Sequence, residues 1–457
     1  MPLAPGRLDL ATLTQLVERG EIDTVVAAFT DMQGRLAGKR VQAQWFLDAA
    51  HAEWHACDYL LALDIEMEPV PGFKTASWDR GYGDFVIRPD LSTLRRIPWL
   101  PGTALVLGDV VDHHGDDLPH SPRAILKKQL ARLSAHGFAA KMASELEFYV
   151  FDDDYRGARD KRYHELRTAG WYIEDYHVFE TTKREPLMRT IRNGLEGAGV
   201  PVQESKGEWG PGQEELNVRY AEALEMADRH VILKNAVKEI AHLQGKAVTF
   251  MAKWRKDLAG SSCHIHSSLW HNDGDRPAFA DPARARGWSP LFESFLAGQL
   301  ALGGDITLLL APYVNSYKRF QAGSFAPTNL VWSADNRTAG FRVLGHGASL
   351  RVECRVPGAD VNPYLAFAGL LAAGLHGIEQ NLPLPEPFSG DAYKSGEVPA
   401  VPRSLREATE RFVASAPVRA ALGEEVVEHY AHAARWEQAC FDGEITDWEL
   451  LRYFERS

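Results

Sequence analysis

Ser144-Glu145-Leu146-Glu147-Phe148 is the stretch from which the rest of this chain can be read. On a β-strand, residues two apart point to one face, so Glu145 and Glu147 project together while Leu146 and Phe148 turn the other way. Cys263-His264-Ile265-His266 and Arg351-Val352-Glu353-Cys354-Arg355 repeat the device. Taken singly, a Glu-x-Glu strand is ordinarily a solvated face. Here the intervening Leu146, Ile265, Val352 and Cys354 are apolar, so each strand must be covered on its other side. Charged faces so placed are costly unless opposite charges lie between them. Three of them, far apart in sequence, predict strands converging on a polar cavity that holds cations and a polyanion.

Upstream of the first strand the spacing predicts a helix, with Ser121 as N-cap, Pro122 at its first position, Leu126, Leu130 and Leu133 on one face and Gly137 as terminator. The polar run His113 to Pro119 before it marks a boundary, which divides the chain into a small mixed unit, residues 17–113, and a large one, residues 119–457. Asp23 to Thr30 and Arg35 to Gln42, joined by Asp31-Met32-Gln33-Gly34, read as a hairpin, and Ala104 to Val111 as a further strand. Downstream, a helix from about Glu222 to Leu243 stops at Gly245 before a strand Lys246 to Ala252, and Ser404 opens a late helix with a capping box. Tyr364 to Ile378 is apolar but too short to span a bilayer and reads as a buried helix. The pattern is mixed helix and strand with a largely antiparallel sheet.

The chain has 457 residues, more than one core usually serves, and 62 acidic against 50 basic residues give a net charge of −12. That balance argues against nucleic acid as the main partner and leaves small substrates and metals. Cys57, Cys263, Cys354 and Cys440 form no Cys-x-x-Cys pair, so neither a disulfide framework nor a zinc ribbon is indicated, and a reducing cytoplasm is expected. Met1 to Arg7 lacks the basic-then-apolar layout of a signal peptide, and no membrane partner is expected.

Gly207-Glu208-Trp209-Gly210-Pro211-Gly212-Gln213-Glu214-Glu215 adds two carboxylates separated by a Gly/Pro turn. Glu145, Glu147, Glu208, Glu215 and Glu353 with His264 make an oxygen-dominated set that suits Mg²⁺ or Mn²⁺ better than zinc. A cationic group follows in Asn315-Ser316-Tyr317-Lys318-Arg319, Asn336-Arg337, Arg342, Arg351 and Arg355. Arginines fit bidentate clamps on phosphate and carboxylate, whereas each taken separately is as readily a surface residue. No Walker loop is present, and Gly194 to Gly199 follows a helical pattern, which makes it a helix stop and not a dinucleotide turn.

These motifs together resemble the glutamine synthetases of the bacterial class I type, in order and over nearly the whole chain: Glu145 to Phe148, Glu208 to Glu215, Gly260-Ser261-Ser262-Cys263-His264-Ile265-His266, Asn315 to Arg319, Asn336-Arg337, Arg351 to Arg355 and Asn362-Pro363-Tyr364-Leu365. The resemblance implies an α+β fold, with an N-terminal β-grasp domain and a C-terminal catalytic domain built on an antiparallel partial barrel with helices. It further implies a homo-oligomer, a dodecamer of two hexameric rings, with active sites between subunits. By the same resemblance Glu147, Glu208 and Glu215 would hold one Mg²⁺ or Mn²⁺ and Glu145, His264 and Glu353 a second, of two to three per site. Gly260, Arg319 and Arg355 would bind L-glutamate, Arg337 would stabilise the phosphoryl group in transfer, and Tyr220, His266, Ser268, Arg342 and Arg351 would contact ATP. The implied chemistry is ATP-dependent formation of γ-glutamyl phosphate, which an amine then intercepts.

The departures concern the acceptor. Where glutamine synthetases carry a flap Glu that handles ammonium, this chain has Phe325 within Gln321-Ala322-Gly323-Ser324-Phe325-Ala326-Pro327. The second ammonium element is replaced by Cys57-Asp58-Tyr59-Leu60-Leu61, in which Asp58 keeps the acid. Ala259 stands where the family usually has Asn beside the glutamate site. This is the pattern of the γ-glutamyl-amine ligase branch, so a primary amine is the expected acceptor. Phe325, Trp209 and Trp332 suggest an apolar acceptor pocket, while Asp58, Asp64, Glu66 and Glu68 could equally anchor a polyamine. Ordinary glutamine synthetase and a non-catalytic ring scaffold stand as alternatives. The first would show strong ammonium-dependent turnover, and the second predicts lost metal ligands.

Overall fold

The computed structural model describes residues 5–394, 396 and 398–457, so Met1 to Ala4 of the N-terminal stretch lie outside the described residues. Five strands precede residue 112: β1 (Thr24–Thr30), β2 (Leu36–Gln42), β3 (Trp54–Cys57), β4 (Asp84–Arg96) and β5 (Thr103–Val111). They form one sheet in the order β2-β1-β5-β4-β3, in which β1 and β5 run parallel and the other pairs antiparallel. The hairpin predicted at Asp31–Gly34 is there. Asp31 caps its own turn by accepting from the Gln33 and Arg35 amides at 3.0 and 2.8 Å, and Gly34 takes φ +78°, which a side chain would resist.

The remaining strands are β6 (Phe138–Phe151), β7 (Val202–Gly207), β8 (Gln213–Val218), β9 (Ala221–Glu222), β10 (Ala247–Thr249), β11 (Cys263–His271), β12 (Trp332–Ala334), β13 (Phe341–Leu344) and β14 (Arg351–Cys354). They build a nine-stranded sheet along β12-β13-β14-β11-β6-β8-β7, with β9 and β10 also paired to β6. Among the described residues of this sheet, only β12 and β13 pair in parallel. The long strand β6 is the hub, and its alternation behaves as its sequence requires: Leu146 and Phe148 are fully buried while Glu145 faces the cleft.

Helices back the sheet. They include α1 (Leu10–Glu18), α2 (Pro122–Ala135), α3 (Glu185–Gly197), α4 (Ala223–Leu243), α5 (Pro290–Leu302), α6 (Pro363–Glu379), α7 (Leu405–Ala414), α8 (Glu424–Gly443) and α9 (Asp447–Tyr453). Helix α6 is the buried apolar helix expected from its composition. It approaches α5 so closely that a Cβ on Gly377 would lie 2.0 Å from the Ser294 carbonyl oxygen, and one on Gly298 2.2 Å from that of Ala373.

Three local readings shift. Ser121 precedes α2 but its side chain makes no cap bond. Ser404 accepts from the Glu407 amide, yet Glu407 returns to the Arg403 amide, so the box is half formed. The strand placed at Lys246–Ala252 pairs only over Ala247–Thr249.

The two sheets are tied by a buried arginine. Arg123 of α2 donates to Asp90 of β4 (2.7 Å), Asp109 of β5 (2.5 Å) and both oxygens of Asp228 on α4 (3.2 and 3.1 Å). Tyr364 of α6 donates to Asp228 at 2.6 Å, and the Asn362 amide donates to the carbonyls of Asp31 and Met32.

Candidate active site

The register of the large sheet gathers the motifs predicted from alternation. Glu145 stands opposite His264 on β11 and Asn217 on β8, Glu147 opposite Glu215, and Glu353 opposite both His266 on β11 and Arg342 on β13. Same-face neighbours on adjacent strands lie about 5 Å apart, so four strands suffice to concentrate the charges. Ligand-type atoms of Glu147, Glu208 and Glu215 lie within 4.8 Å of one another, as do those of Glu145, His266 and Glu353. His264, the histidine assigned to the second group by resemblance, is also there: its Nδ1 is 3.1 Å from Glu145 and 3.5 Å from Glu353. His266 Nε2 is 2.9 Å from Glu145, and Arg351 Nε donates to its Nδ1 at 3.2 Å. Both histidines thus face one carboxylate.

The electrostatics divide the groups. Burial, then the charge of Glu208, pushes Glu147 up to about 7, and burial, then Glu145 and Glu147, pushes Glu215 up to about 9. Burial also opposes ionisation of Glu145 and Glu353. Hydrogen bonds from His264 and His266 nevertheless hold Glu145 far below the carboxylate range, and the charges of His264 and Arg355 hold Glu353 below it. A carboxylate cluster that resists ionisation by itself is the donor set a divalent cation stabilises. The oxygen-dominated ligands therefore fit Mg²⁺ or Mn²⁺.

The carboxylates line a cavity of about 400 Å³ together with Gly260, Arg319, Arg337, Arg342 and Arg355. Gly260 is a glycine because a Cβ there would lie 2.6 Å from Arg319 Cγ. Arg319 is buried, its Nη2 donating to the carbonyls of Arg355, Val356 and Pro357, and Nε of both Arg319 and Arg355 has no partner among the described residues. Arg355 donates to Glu353 at 2.6 Å and Arg342 to Glu353 at 3.1 Å. A second cavity of about 360 Å³, sharing Glu145, Glu204 and Asn217 with the first, is lined by Tyr220, His266, Ser268 and Arg351.

At the mouth, Phe325 and Trp209 are half exposed with ring centroids 6.0 Å apart. Phe325 takes φ +59°, an uncommon and strained conformation for an aromatic residue. Asp58 lies elsewhere, on a 3₁₀ turn after β3, where it accepts from the Gly83 amide at 3.2 Å; it does not line the cleft of its own chain. One acceptor suggestion fails. Trp332 is core, donating to the Pro385 carbonyl and packed on Trp288, because β12 turns its indole inward. Asp64, Glu66 and Glu68, like Asp58, lie outside the cleft of their own chain, and Asp64 closes a surface turn by accepting from the amides of the other two.

Sequence reading missed Lys206, Asp175 and Tyr176, which line the same cavity. Lys206 pairs with Glu208 and reaches Asp175 and Glu215 at 3.8 and 4.0 Å, and its ammonium lies 4.6 Å from the Tyr176 ring centroid. The alternation Glu204-Ser205-Lys206-Gly207-Glu208 carried a signal for Lys206. Asp175 and Tyr176 lie in irregular chain, where periodicity says nothing.

A sheet that concentrates acids, imidazoles and guanidinium groups on one walled face is that of an enzyme handling anions with divalent cations. The chain belongs to the glutamine synthetase family: the model of that family's catalytic domain matches residues 119–453. It is 52% identical over 451 residues to the gamma-glutamylethanolamide synthetase of Streptomyces coelicolor, covering 98% of this chain and 96% of that one. It is 36% identical over 454 residues to the glutamate–isopropylamine ligase of a Pseudomonas species, covering 98% and 99%. A solved GmaS/ADP complex superposes with a TM-score of 0.85 at 28% identity, covering 97% of this chain and 99% of that one.

Proposed function

We propose that this chain is an ATP-dependent ligase that joins the γ-carboxyl of L-glutamate to a small primary amine. The observation that carries the reading is Phe325, packed near Trp209 at the mouth of a cleft whose carboxylate and arginine walls match the family's glutamate-activating motifs. An aromatic ring cannot take a proton from ammonium, but it can cover the carbon chain of an amine. The named substrates of the two relatives, ethanolamine and isopropylamine, are small amines of this kind.

In this reading Glu147, Glu208 and Glu215 hold one divalent cation and Glu145, His264 and Glu353 another, with His266 beside the second. Two or three Mg²⁺ or Mn²⁺ ions would neutralise phosphate charge when bound. Tyr220, His266, Ser268, Arg342 and Arg351 contact ATP. Arg319 and Arg355 grip the carboxylates of glutamate with their free Nε–H donors, against the Gly260 backbone. A γ-carboxylate oxygen attacks the terminal phosphorus, ADP leaves, and Arg337 stabilises the charge in transfer. The amine nitrogen then attacks the acyl carbon, phosphate leaves, and the nitrogen gives up a proton to a carboxylate. Asp58 of a neighbouring subunit and Asp175 are the candidates for that acceptor.

The same reading makes residues 17–113 a β-grasp domain and 119–457 the catalytic domain. It places the chain in a dodecamer with sites between subunits, which would bring Asp58 to a neighbour's cleft. No helix among the described residues is long and apolar enough to cross a membrane, and the four cysteines are unpaired, which supports a cytoplasmic setting.

The test is ADP release with Mg²⁺ and glutamate against a panel holding ethanolamine, isopropylamine, a polyamine, aniline and ammonium. A small alkyl or hydroxyalkyl amine should exceed ammonium in kcat/KM. Equal or better use of low-millimolar ammonium would make the chain a glutamine synthetase, and no turnover with any amine would leave a scaffold.

A further inference from the structure

A separate cleft of about 660 Å³, sharing no lining residue with either cavity above, opens between the β1–β2 turn and α4. Its wall carries three cations, Arg35, Lys234 and Lys238, and two carboxylates, Asp360 and Glu437. Lys234 and Lys238, one turn apart on α4, both line it, with ammonium groups 5.3 and 5.9 Å from the Phe250 ring centroid. Lys234 Nζ donates to the neutral Ala359 carbonyl at 2.8 Å, and neither lysine forms an ion pair among the described residues. Arg35, the third cation in the wall, is committed to Asp31 at 2.7 Å. Like charges four apart on a helix destabilise one another. Burial, then the charge of Lys238, pushes Lys234 down to about 8.

Two carboxylates also face the cleft. Asp360 accepts from Ser316 through Oδ2 at 2.6 Å, while its Oδ1 is buried without a partner among the described residues. Glu437 is held above the usual carboxylate range by burial and then by Asp64, and it forms no ion pair with either lysine. Two ammonium groups without an ion-pair partner among the described residues, beside one free acceptor oxygen, describe the complement of a ligand with an oxyanion and a hydroxyl.

We propose that this cleft binds a small oxyanion, phosphate or hydroxycarboxylate, between Lys234 and Lys238, with a ligand hydroxyl on Asp360 Oδ1. Through its bond to the Ala359 carbonyl, Lys234 also ties the cleft to the loop beside the glutamate pocket. The Ala359 amide donates to the Ser261 carbonyl at 3.0 Å, one residue from Gly260.

The test is calorimetric titration of the full-length protein, saturated with Mg²⁺, ADP and glutamate, with inorganic phosphate and separately with malate. At least one anion should bind saturably. That binding should persist in Glu353→Ala, weaken about tenfold or more in the solvent-exposed Lys238→Met, and return in Lys238→Arg. The proposal is overturned if neither anion saturates, or if binding disappears in Glu353→Ala and survives in Lys238→Met. Whichever anion binds tighter identifies the source, phosphate or carboxylate.

Discussion

Glu353 is within 3.5 Å of three cationic or imidazole partners, Arg355, Arg342 and His264, and is almost fully buried. Glu353→Ala should reduce amine-dependent ADP release by about 10²-fold or more, while the particle mass by light scattering stays that of wild type. A near-normal rate would remove Glu353 from the site. At the mouth, Phe325→Glu should raise the ratio of ammonium to amine turnover, and an unchanged ratio would mean that this flap position does not shape acceptor choice. Both residues were legible in the sequence, but for different reasons. Glu353 showed itself through two-residue alternation, which a strand enforces physically. Phe325 stood out only against a family pattern, since nothing in its local sequence forecasts a positive φ. Asp175 escaped both routes, because an irregular segment has no period and its neighbours Lys206 and Glu208 come from elsewhere in the chain.

Strands with one buried and one charged face announced themselves, as did helices bracketed by Pro and Gly. The long strand β4 did not. Pro89 lies within it, and its pairing with β5 slips between Asp90 and Arg95, so neither the apolar pattern nor the register is continuous. Helix α6 was legible as buried, yet its partner was not, because glycines mark a close approach without saying to what. Gly377→Ala would force its Cβ to within 2.0 Å of the Ser294 carbonyl, so α5 and α6 must separate. The expected destabilisation is about 1–3 kcal/mol, read as a lowered midpoint in thermal or urea unfolding. A wild-type midpoint would mean that the helices have room to part.

At the scale of the molecule, His120 joins the elements on either side of the link between the sheets. Its ring lies 4.6 Å from that of His429, whose Nε2 donates to the Leu61 carbonyl, and its Nδ1 is 3.6 Å from Glu425. Burial pushes His120 down from 6.5 to about 4. The unfolded chain therefore takes up a proton below about 6.5 that the folded chain refuses until about 4, and stability falls as pH drops through that window. By pH 5 this group alone costs about 2 kcal/mol. His120→Phe should make the unfolding midpoint less sensitive between pH 7 and 5, and an unaltered pH slope would count against the assignment. Helix α9 and its flanks expose Ile445, Leu451 and Phe454 at 73%, 82% and 85%, an apolar face that assembly would cover. Removing residues 444–457 should yield smaller particles by light scattering, and an undiminished mass would exclude this helix from the contacts between copies. Arg123 carries a different lesson, for anyone who would treat the two sheets as interchangeable parts. Its guanidinium belongs to the large unit and two of its three carboxylates to the small one. Cutting the chain at the link, or grafting a foreign small unit onto the large one, would strand acids on one piece and weaken the balance of a buried cation on the other. Chimeras of this protein should therefore exchange Arg123, Asp90, Asp109 and Asp228 together or not at all.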